Sequence, residues 1–413
     1  MIAIALACEP EVLIADEPTT ALDVTVQAEI LDLIRLMQKK HNMSVLMITH
    51  DMGVVAEMAD QVIIMRDGKT EEFASVEDVF HAPKSAYAQE LLASVPQLGH
   101  APERTLKTSP HRLVDVDNLS VRFDVTGGIL NRTVARLHAV EGVSFQINAG
   151  ETLALVGESG SGKSTIGKAL MNLVPWSGSI RIDGKQTSGL LRNAMRPVLR
   201  DIQMVFQDPG ASLDSRMTVG KQVVEPLQVH GVASGSELTD RAEYLFRRVG
   251  LPADMLYRYP HEFSGGQRQR VCIARALSLS PKIIIADESV SALDVSVQAQ
   301  VLELLQELQD EEGLSFLFIS HDMAVIDQVA DRVMVLRLGQ VMEEGPRDAV
   351  LRNPQHSYTQ RLLSAVPIAD PSRQRSTLPP LPDGESPVLS LDEKFERMPL
   401  ETVSGSHRVG KTA

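Results

Sequence analysis

The chain has 413 residues, 43% hydrophobic and 23% charged, with a formal net charge of -14. These values fit a globular protein of two or three domains, and the acidic balance argues against general attraction to nucleic acid. Only two cysteines occur, Cys8 and Cys272, which argues against a disulfide framework or a cysteine-ligated metal; no apolar run approaches the ~18 residues that span a bilayer.

The chain opens on MIAIALAC, an apolar run without a positive leader that passes straight into Glu9, Pro10 and Glu11, so it does not read as a signal peptide. The segment after it is intelligible only beside a later stretch. Asp16 and Asp287, Asp23 and Asp294, His50 and His321, and Pro83 and Pro354 all share one separation (287 − 16 = 271). VLIADEPTTALDVTVQAEIL (12 to 31) answers IIIADESVSALDVSVQAQVL (283 to 302), and VLMITHDMGVVAEMAD (45 to 60) answers FLFISHDMAVIDQVAD (316 to 331). An internal repeat of this kind implies two related domains. Residues 97 to 112 are polar and aperiodic and read as a linker. A second domain then begins with the alternating run LVDVDNLSVRFDV, followed by HAVEGVSFQI, two expected strands.

Next comes ETLALV (151 to 156), a short apolar run expected as a buried strand, then GESGSGKST (157 to 165), then IGKALMNLV with helical spacing. This is G-x-x-x-x-G-K-[ST] between a strand and a helix, the setting of a phosphate-binding loop. Glycines let backbone N–H groups turn toward a polyphosphate, the helix N-terminus adds positive charge, Lys163 reaches the outer phosphates and the Ser164 hydroxyl ligates Mg²⁺. Further strands are expected at 202 to 206, 282 to 287 and 315 to 320, with a largely helical stretch from about 208 to 265. KIIIADES ends a strand in two acids that alternation points differently, Asp287 toward Mg²⁺ and Glu288 toward the attacking water. FSGGQRQR opens a helix with Ser264, Gly265 and Gly266, while Gln207 and His321 each follow a strand at the edge where ligands bind. Residues 370 to 413, rich in Pro and Ser, read as a loosely ordered tail.

In this order the motifs resemble the ATP-binding-cassette (ABC) ATPases. RYPHEFSGGQRQR, SALDVSVQAQ and NPQHSYTQRLLSAVP are similar to the peptide, dipeptide and oligopeptide importer branch, and the two-cassette layout to its glutathione importers. The resemblance covers 113 to about 367 as a complete cassette, 1 to 96 as the C-terminal remnant of a first, and leaves 368 to 413 as a tail. It implies an α/β P-loop NTPase fold: a mainly parallel core sheet, an antiparallel β subdomain and a helical subdomain, with a partial second copy at the N-terminus.

The resemblance also implies ATP and Mg²⁺ as cofactors. Gly157, Ser159, Gly160, Gly162, Lys163, Ser164 and Thr165 would form the Walker A loop, and Ser264, Gly265, Gly266 and Gln267 the signature motif. Ser164, Gln207 and Asp287 would attend the metal; Glu288, His321 and Gln207 would carry catalysis. Asp294 would end the D-loop, and Phe123 would stack on adenine. Asp16, Glu17, Asp23 and His50 are the first-cassette counterparts. The implied partners are two transmembrane permease subunits, an extracytoplasmic solute-binding protein and another cassette, with no nucleic acid. The implied place is the cytoplasmic face of the inner membrane, peripherally. Ser289 departs from the proline often found after the catalytic acid, and the tail lacks the cysteine cluster of some relatives.

In this family each ATP lies between the Walker A loop of one cassette and the signature of the other. The first signature would fall before Met1, so neither site is expected to close within the chain, and the first domain's strands should keep an open edge. Two other readings remain: a non-catalytic fragment, and a soluble cassette ATPase acting on ribosomes or DNA, which the short linker and scattered cysteines disfavour. The DNA upstream of the Met1 codon is expected to encode a second phosphate loop and an SGGQ-like motif. Stop codons throughout it, in every frame, would defeat this.

Overall fold

The computed structural model describes residues 2–19, 22–99, 109–127, 132–291, 293–373, 378–379 and 386–411. The N-terminal part runs α1 (Ile2–Leu6), β1 (Val12–Asp16), α2 (Val24–His41), β2 (Ser44–Ile48), α3 (Met52–Met58), β3 (Gln61–Arg66), β4 (Lys69–Ser75), α4 (Val76–His81) and α5 (Ala86–Ala93). Two long strands follow, β5 (Arg112–Gly127) and β6 (Arg132–Asn148), then β7 (Thr152–Val156), α6 (Lys163–Leu170), β8 (Ser177–Ile182), β9 (Lys185–Gln186), α7 (Arg192–Asp201) and β10 (Ile202–Val205). A helical region comprises α8 (Pro209–Ser212), α9 (Val219–Val229), α10 (Glu237–Arg248) and α11 (Gly265–Leu277). The chain closes with β11 (Ile283–Asp287), α12 (Val295–Glu312), β12 (Ser315–Ile319), α13 (Met323–Val329), β13 (Arg332–Arg337), β14 (Gln340–Pro346), α14 (Arg347–Arg352), α15 (Ser357–Ser364), β15 (Val388–Ser390), β16 (Leu400–Ser404) and β17 (His407–Gly410).

Every residue of β7 (TLALV), β11 (IIIAD) and β12 (SFLFI) is buried. A strand can be apolar on both faces only where helices or a second sheet cover both, which is the habit of a central parallel strand. The main sheet has the order β10-β11-β12-β7-β13-β14-β17-β16 and is parallel from β10 to β13. A second, antiparallel sheet, β15-β6-β5-β8-β9, packs against it. The expected core strands are all present, and their carboxyl ends lie side by side: Asp287 is level with Ile319, and Ile319 with Leu155.

Each element from β1 to α5 has the bounds of an element from β11 to α15 moved by the repeat separation, for example β1 at Val12–Asp16 and β11 at Ile283–Asp287. Their surroundings differ. β7 bridges β12 and β13, whereas β1 and β2 form one two-stranded sheet and β3 and β4 another. The consequence falls on six residues. Ile283, Ile285, Leu317, Ile319, Met334 and Leu336 are 0% exposed; their counterparts Val12, Ile14, Leu46, Ile48, Ile63 and Met65 are 49% to 66% exposed. Burying such a face contributes roughly 1.5–3 kcal/mol per side chain, a gain the second half makes and the first, within this chain, does not.

The expectation of a loose tail is corrected for its described residues. β17 pairs with β14 and carries β16 beyond it, while β15 pairs with β6. Pro and Ser content misled because what holds this segment is polar and distant in sequence. Buried His407 Nε2 meets Glu343 Oε1 at 2.7 Å, Phe395 stacks on His138 with ring centroids 5.0 Å apart, and Arg397 Nη2 donates to Glu141 Oε1 at 2.8 Å.

Glu141 is the centre of this attachment. Arg122 donates to both its oxygens, at 2.7 and 2.9 Å, and His138 Nδ1 lies 3.0 Å away. Burial alone would raise its pKa, but Arg122, Arg397 and His138 outweigh burial and hold it down at about 2, against an ordinary 4.5. A depressed carboxyl pKa adds stability that is complete above the unfolded value and fades as pH falls through the folded one. Acid is therefore expected to expose the tail to protease between pH ~4.5 and ~2, and Arg397→Ala to move that release to higher pH. A release profile unmoved by Arg397→Ala would refute this.

Candidate nucleotide site

Strand β7 delivers the chain at Gly157 to the carboxyl edge of the sheet. Gly157 has φ 141°, and a Cβ there would lie 2.1 Å from the Leu336 carbonyl oxygen; Gly162 has φ 105°, and its Cβ would lie 2.5 Å from the Ala139 oxygen. Neither position admits a side chain, so the loop can only close in this shape with glycine. Gly160 has φ 77° with open space around it, and Ser159 and Gly160 lie on the loop's exposed outer side.

Lys163, buried at the start of α6, donates to the carbonyls of Gly157 at 2.6 Å and Glu158 at 2.9 Å. Burial pulls its pKa down, against the pull of Asp23, Glu288, Asp287 and Glu158. Ser164 Oγ donates to Asp287 Oδ1 at 2.8 Å, with half-buried Thr165 beside it. Burial raises the Asp287 pKa, partly offset by that hydrogen bond.

Glu288 takes φ 45°, a left-handed conformation that a non-glycine residue holds only under constraint, and Glu17 in the first half takes φ 43°. The carboxylate of Glu288 is gripped at both ends. Gln207 Nε2 donates to Oε2 at 2.5 Å, and His321 Nδ1 lies 3.5 Å from Oε1. The His321 contact is the main cause that lowers the Glu288 pKa. Burial disfavours a charged His321, yet Glu288 and Asp322 raise its pKa overall. The same pairing recurs between His50 Nδ1 and Glu17 Oε1, at 3.0 Å and more exposed, while Asp16 ends β1 in an exposed position.

Three predicted groups lie differently. Ser264 and Gln267 bond reciprocally and cap α11, and a Cβ on Gly266 would lie 2.2 Å from Val297 Cγ1. These residues serve one another at the capped N-terminus of α11; Gly265 has open space where a Cβ would stand. Asp294 caps α12 through the Val297 N–H at 3.0 Å. Its counterpart Asp23 makes no such cap and instead accepts from the Ser159 N–H at 2.6 Å, while Thr25 Oγ1 donates to Glu158 Oε1 at 2.6 Å. The first half therefore reaches the phosphate loop within the chain through its D-loop counterpart, a contact that sequence reading did not foresee.

Phe123 is partly exposed on β5 opposite Leu137, two residues before Ala139, and Phe145 is in the core. The His138 carbonyl faces Gly339, whose N–H donates to the Ser161 carbonyl of the loop at 3.1 Å. Tyr358 was missed. Its buried hydroxyl accepts from the Glu158 N–H at 3.1 Å, burial raises its pKa, and Arg337 lies over its ring at 5.3 Å. The repeat held a signal for it, since Arg66 lies over Tyr87 in the same way at 4.8 Å.

The described residues contain no cluster of three or more His, Cys, Asp or Glu fit to hold a metal alone. The Ser164 and Asp287 oxygens supply the one or two protein ligands that Mg²⁺ takes when phosphates complete its shell, and the glycine cradle suits a polyphosphate, so the residues fit ATP with Mg²⁺.

Comparison with known proteins agrees with the fold. The profile described as ABC transporter matches residues 140–291, and that of the oligopeptide/dipeptide transporter C-terminal region matches twice, at 72–121 and 342–393. The glutathione import ATP-binding protein of Pectobacterium atrosepticum is 50% identical over 434 residues, covering 99% of this chain and 70% of that protein. Its namesake in Escherichia coli strain K12 is 50% identical over 436 residues, covering 100% and 70%. Among solved structures, the dimeric ATP-binding cassette MJ0796 in a post-hydrolysis state with ADP and Pi is 31% identical, with a TM-score of 0.51 over 57% of this chain and 98% of that one. The cbiO1 protein of Clostridium perfringens, part of the ABC transporter complex cbiONQ, is 28% identical, with a TM-score of 0.50 over 59% and 92%.

Replacing Glu288 with Gln keeps the shape and removes the proton acceptor. ATP binding is expected to persist while hydrolysis falls roughly 10²- to 10⁴-fold, read by equilibrium binding and phosphate release. Near wild-type turnover would remove Glu288 from its assigned role.

Proposed function

The chain belongs to the ABC transporter family, and on that footing we propose that it is the ATP-hydrolysing subunit of an importer for glutathione or a related small peptide. The observation that carries the hydrolytic part is the Glu288 carboxylate, held between Gln207 and His321 beside the Ser164–Asp287 pair. The solute follows from the relatives named for glutathione import, at 50% identity along the chain.

When bound, ATP with Mg²⁺ supplies the polyphosphate whose outer bond is cleaved and the cation that draws charge from it. The loop N–H groups and Lys163 bind the anionic phosphates, and Ser164 and Asp287 hold the cation. Glu288, its pKa lowered by His321, is ionised at neutral pH and takes the proton from water, while Gln207 and His321 orient its two oxygens. Phe123 offers a face to the base. Ser264 to Gln267 turn the N-terminus of α11 toward a nucleotide held by another cassette. The division we adopt is 1–96 as part of one cassette, 97–112 as linker, 113–367 as a whole cassette, and 368–413 as an extension.

Two transmembrane permeases would take up the motion of the cassettes, and an extracytoplasmic binding protein would deliver the solute. The subunit would then work peripherally at the cytoplasmic face of the inner membrane. No helix among the described residues is long and apolar enough to cross a membrane. In proteoliposomes carrying the permeases, ATP-driven uptake of glutathione should require this chain and fall by about 10²-fold or more with Lys163→Ala, which removes the cationic phosphate ligand. Uptake unaffected by Lys163→Ala would overturn the proposal; uptake of longer peptides alone would change its solute.

A further inference from the structure

The two halves differ where each touches the other. Helices α3 (MGVVAEM) and α13 (MAVIDQV) follow His50 and His321 and correspond residue by residue through the repeat. The first half has Gly53 where the second has Ala324, and a Cβ on Gly53 would lie 2.7 Å from Pro367 Cβ and 3.0 Å from the Pro367 carbonyl. The second half has Asp327 where the first has Ala56, and buried Asp327 Oδ2 accepts from the Gly99 N–H at 2.6 Å.

Pro367 and Gly99 lie on equivalent segments, those that leave α15 and α5. Each half thus sends the chain beyond its last helix across to the helix behind the other half's histidine. Leu98 and Val366 pack on the main core, and the two segments meet around a cavity of about 670 Å³ that His50, Asp51, His321 and Asp322 also line. Asp322 caps α13 through the Ala324 and Val325 N–H groups, so His321 sits just before the N-cap of the strapped helix. Its 3.5 Å separation from Glu288 Oε1 leaves little room for movement.

We propose that segments 94–99 and 365–370 are crossed straps, with Asp327 and Gly53 as positioning residues. Through α13 and α3 they make the placing of His321 and His50 depend on the docking of the opposite half. This rests on the reading of Glu288 and His321 as the hydrolytic centre, and it gives a role to the region that the oligopeptide/dipeptide transporter profile matches twice.

Hydrogen exchange on the full chain tests the straps without requiring turnover. Asp327→Ala removes the acceptor and should speed exchange roughly tenfold in 94–99 and α13, with β7 and α6 unchanged. Asp327→Asn, which can still accept from Gly99 but loses the charge facing Arg347 Nε at 3.7 Å, should hold 94–99 near wild type while loosening α14. Gly53→Ala should loosen α3 and 365–370. In ATP hydrolysis, Asp327→Ala should lower kcat roughly tenfold with KM for ATP within about twofold, because the phosphate loop is untouched. Unchanged exchange in 94–99, an Asn variant that protects 94–99 no better than Ala, or a KM that rises as much as kcat falls would overturn the proposal. A wild-type chain that binds ATP without hydrolysing it even when a second cassette is supplied would count against the hydrolytic reading, and the exchange result would still decide the straps.

Discussion

The burial of β7 on both faces is the constraint on which the rest of the site depends. A five-residue strand with no polar face has to lie inside a parallel sheet, between β12 and β13, and the chain leaving it must emerge at the edge where β11 and β12 also end. That single placement sets Gly157 against Leu336, Lys163 over its own loop, and Ser164 within a hydrogen bond of Asp287. The chemistry is assembled by the sheet, with the loop supplying only what glycine and a helix N-terminus can.

Around that edge the charged groups are arranged so that each is answered. Glu288 is bonded at both oxygens, Lys163 is capped by carbonyls, and Glu141, a little further out, gathers two arginines and a histidine. Buried charges are tolerable only when so paired. The Glu141 group also joins the antiparallel sheet to the C-terminal segment, so the wall of the site and the end of the chain are held by one carboxylate.

Much of this was legible in the sequence, and the legible parts share a property. GESGSGKST, KIIIADES and FSGGQRQR each carry their chemistry within a few residues, and the repeat needs only two stretches laid side by side. The contacts that escaped depend on partners far along the chain. Tyr358 supports the loop across 200 positions, Asp23 across 136, and Arg397 reaches Glu141 across 256. Composition pointed the wrong way for residues 386–411, because six long-range side-chain hydrogen bonds among the described residues and the strand pairing outweighed the disorder that Pro and Ser suggest. The signature residues were read correctly as a helix start, and the sequence could not say that Asp23 would abandon that same capping task for Ser159.

The six apolar residues exposed on β1, β2 and β3 give the molecule two unlike surfaces. The chain is acidic as a whole, yet these strands offer water an oily strip with strand edges alongside. Salts excluded from protein surfaces, such as sulfate, strengthen the pairing of such strips and screen the charge repulsion that opposes it. Whatever covers that strip has to be apolar and to pair with open strand edges, as β7 does for β12 and β13 in the second half.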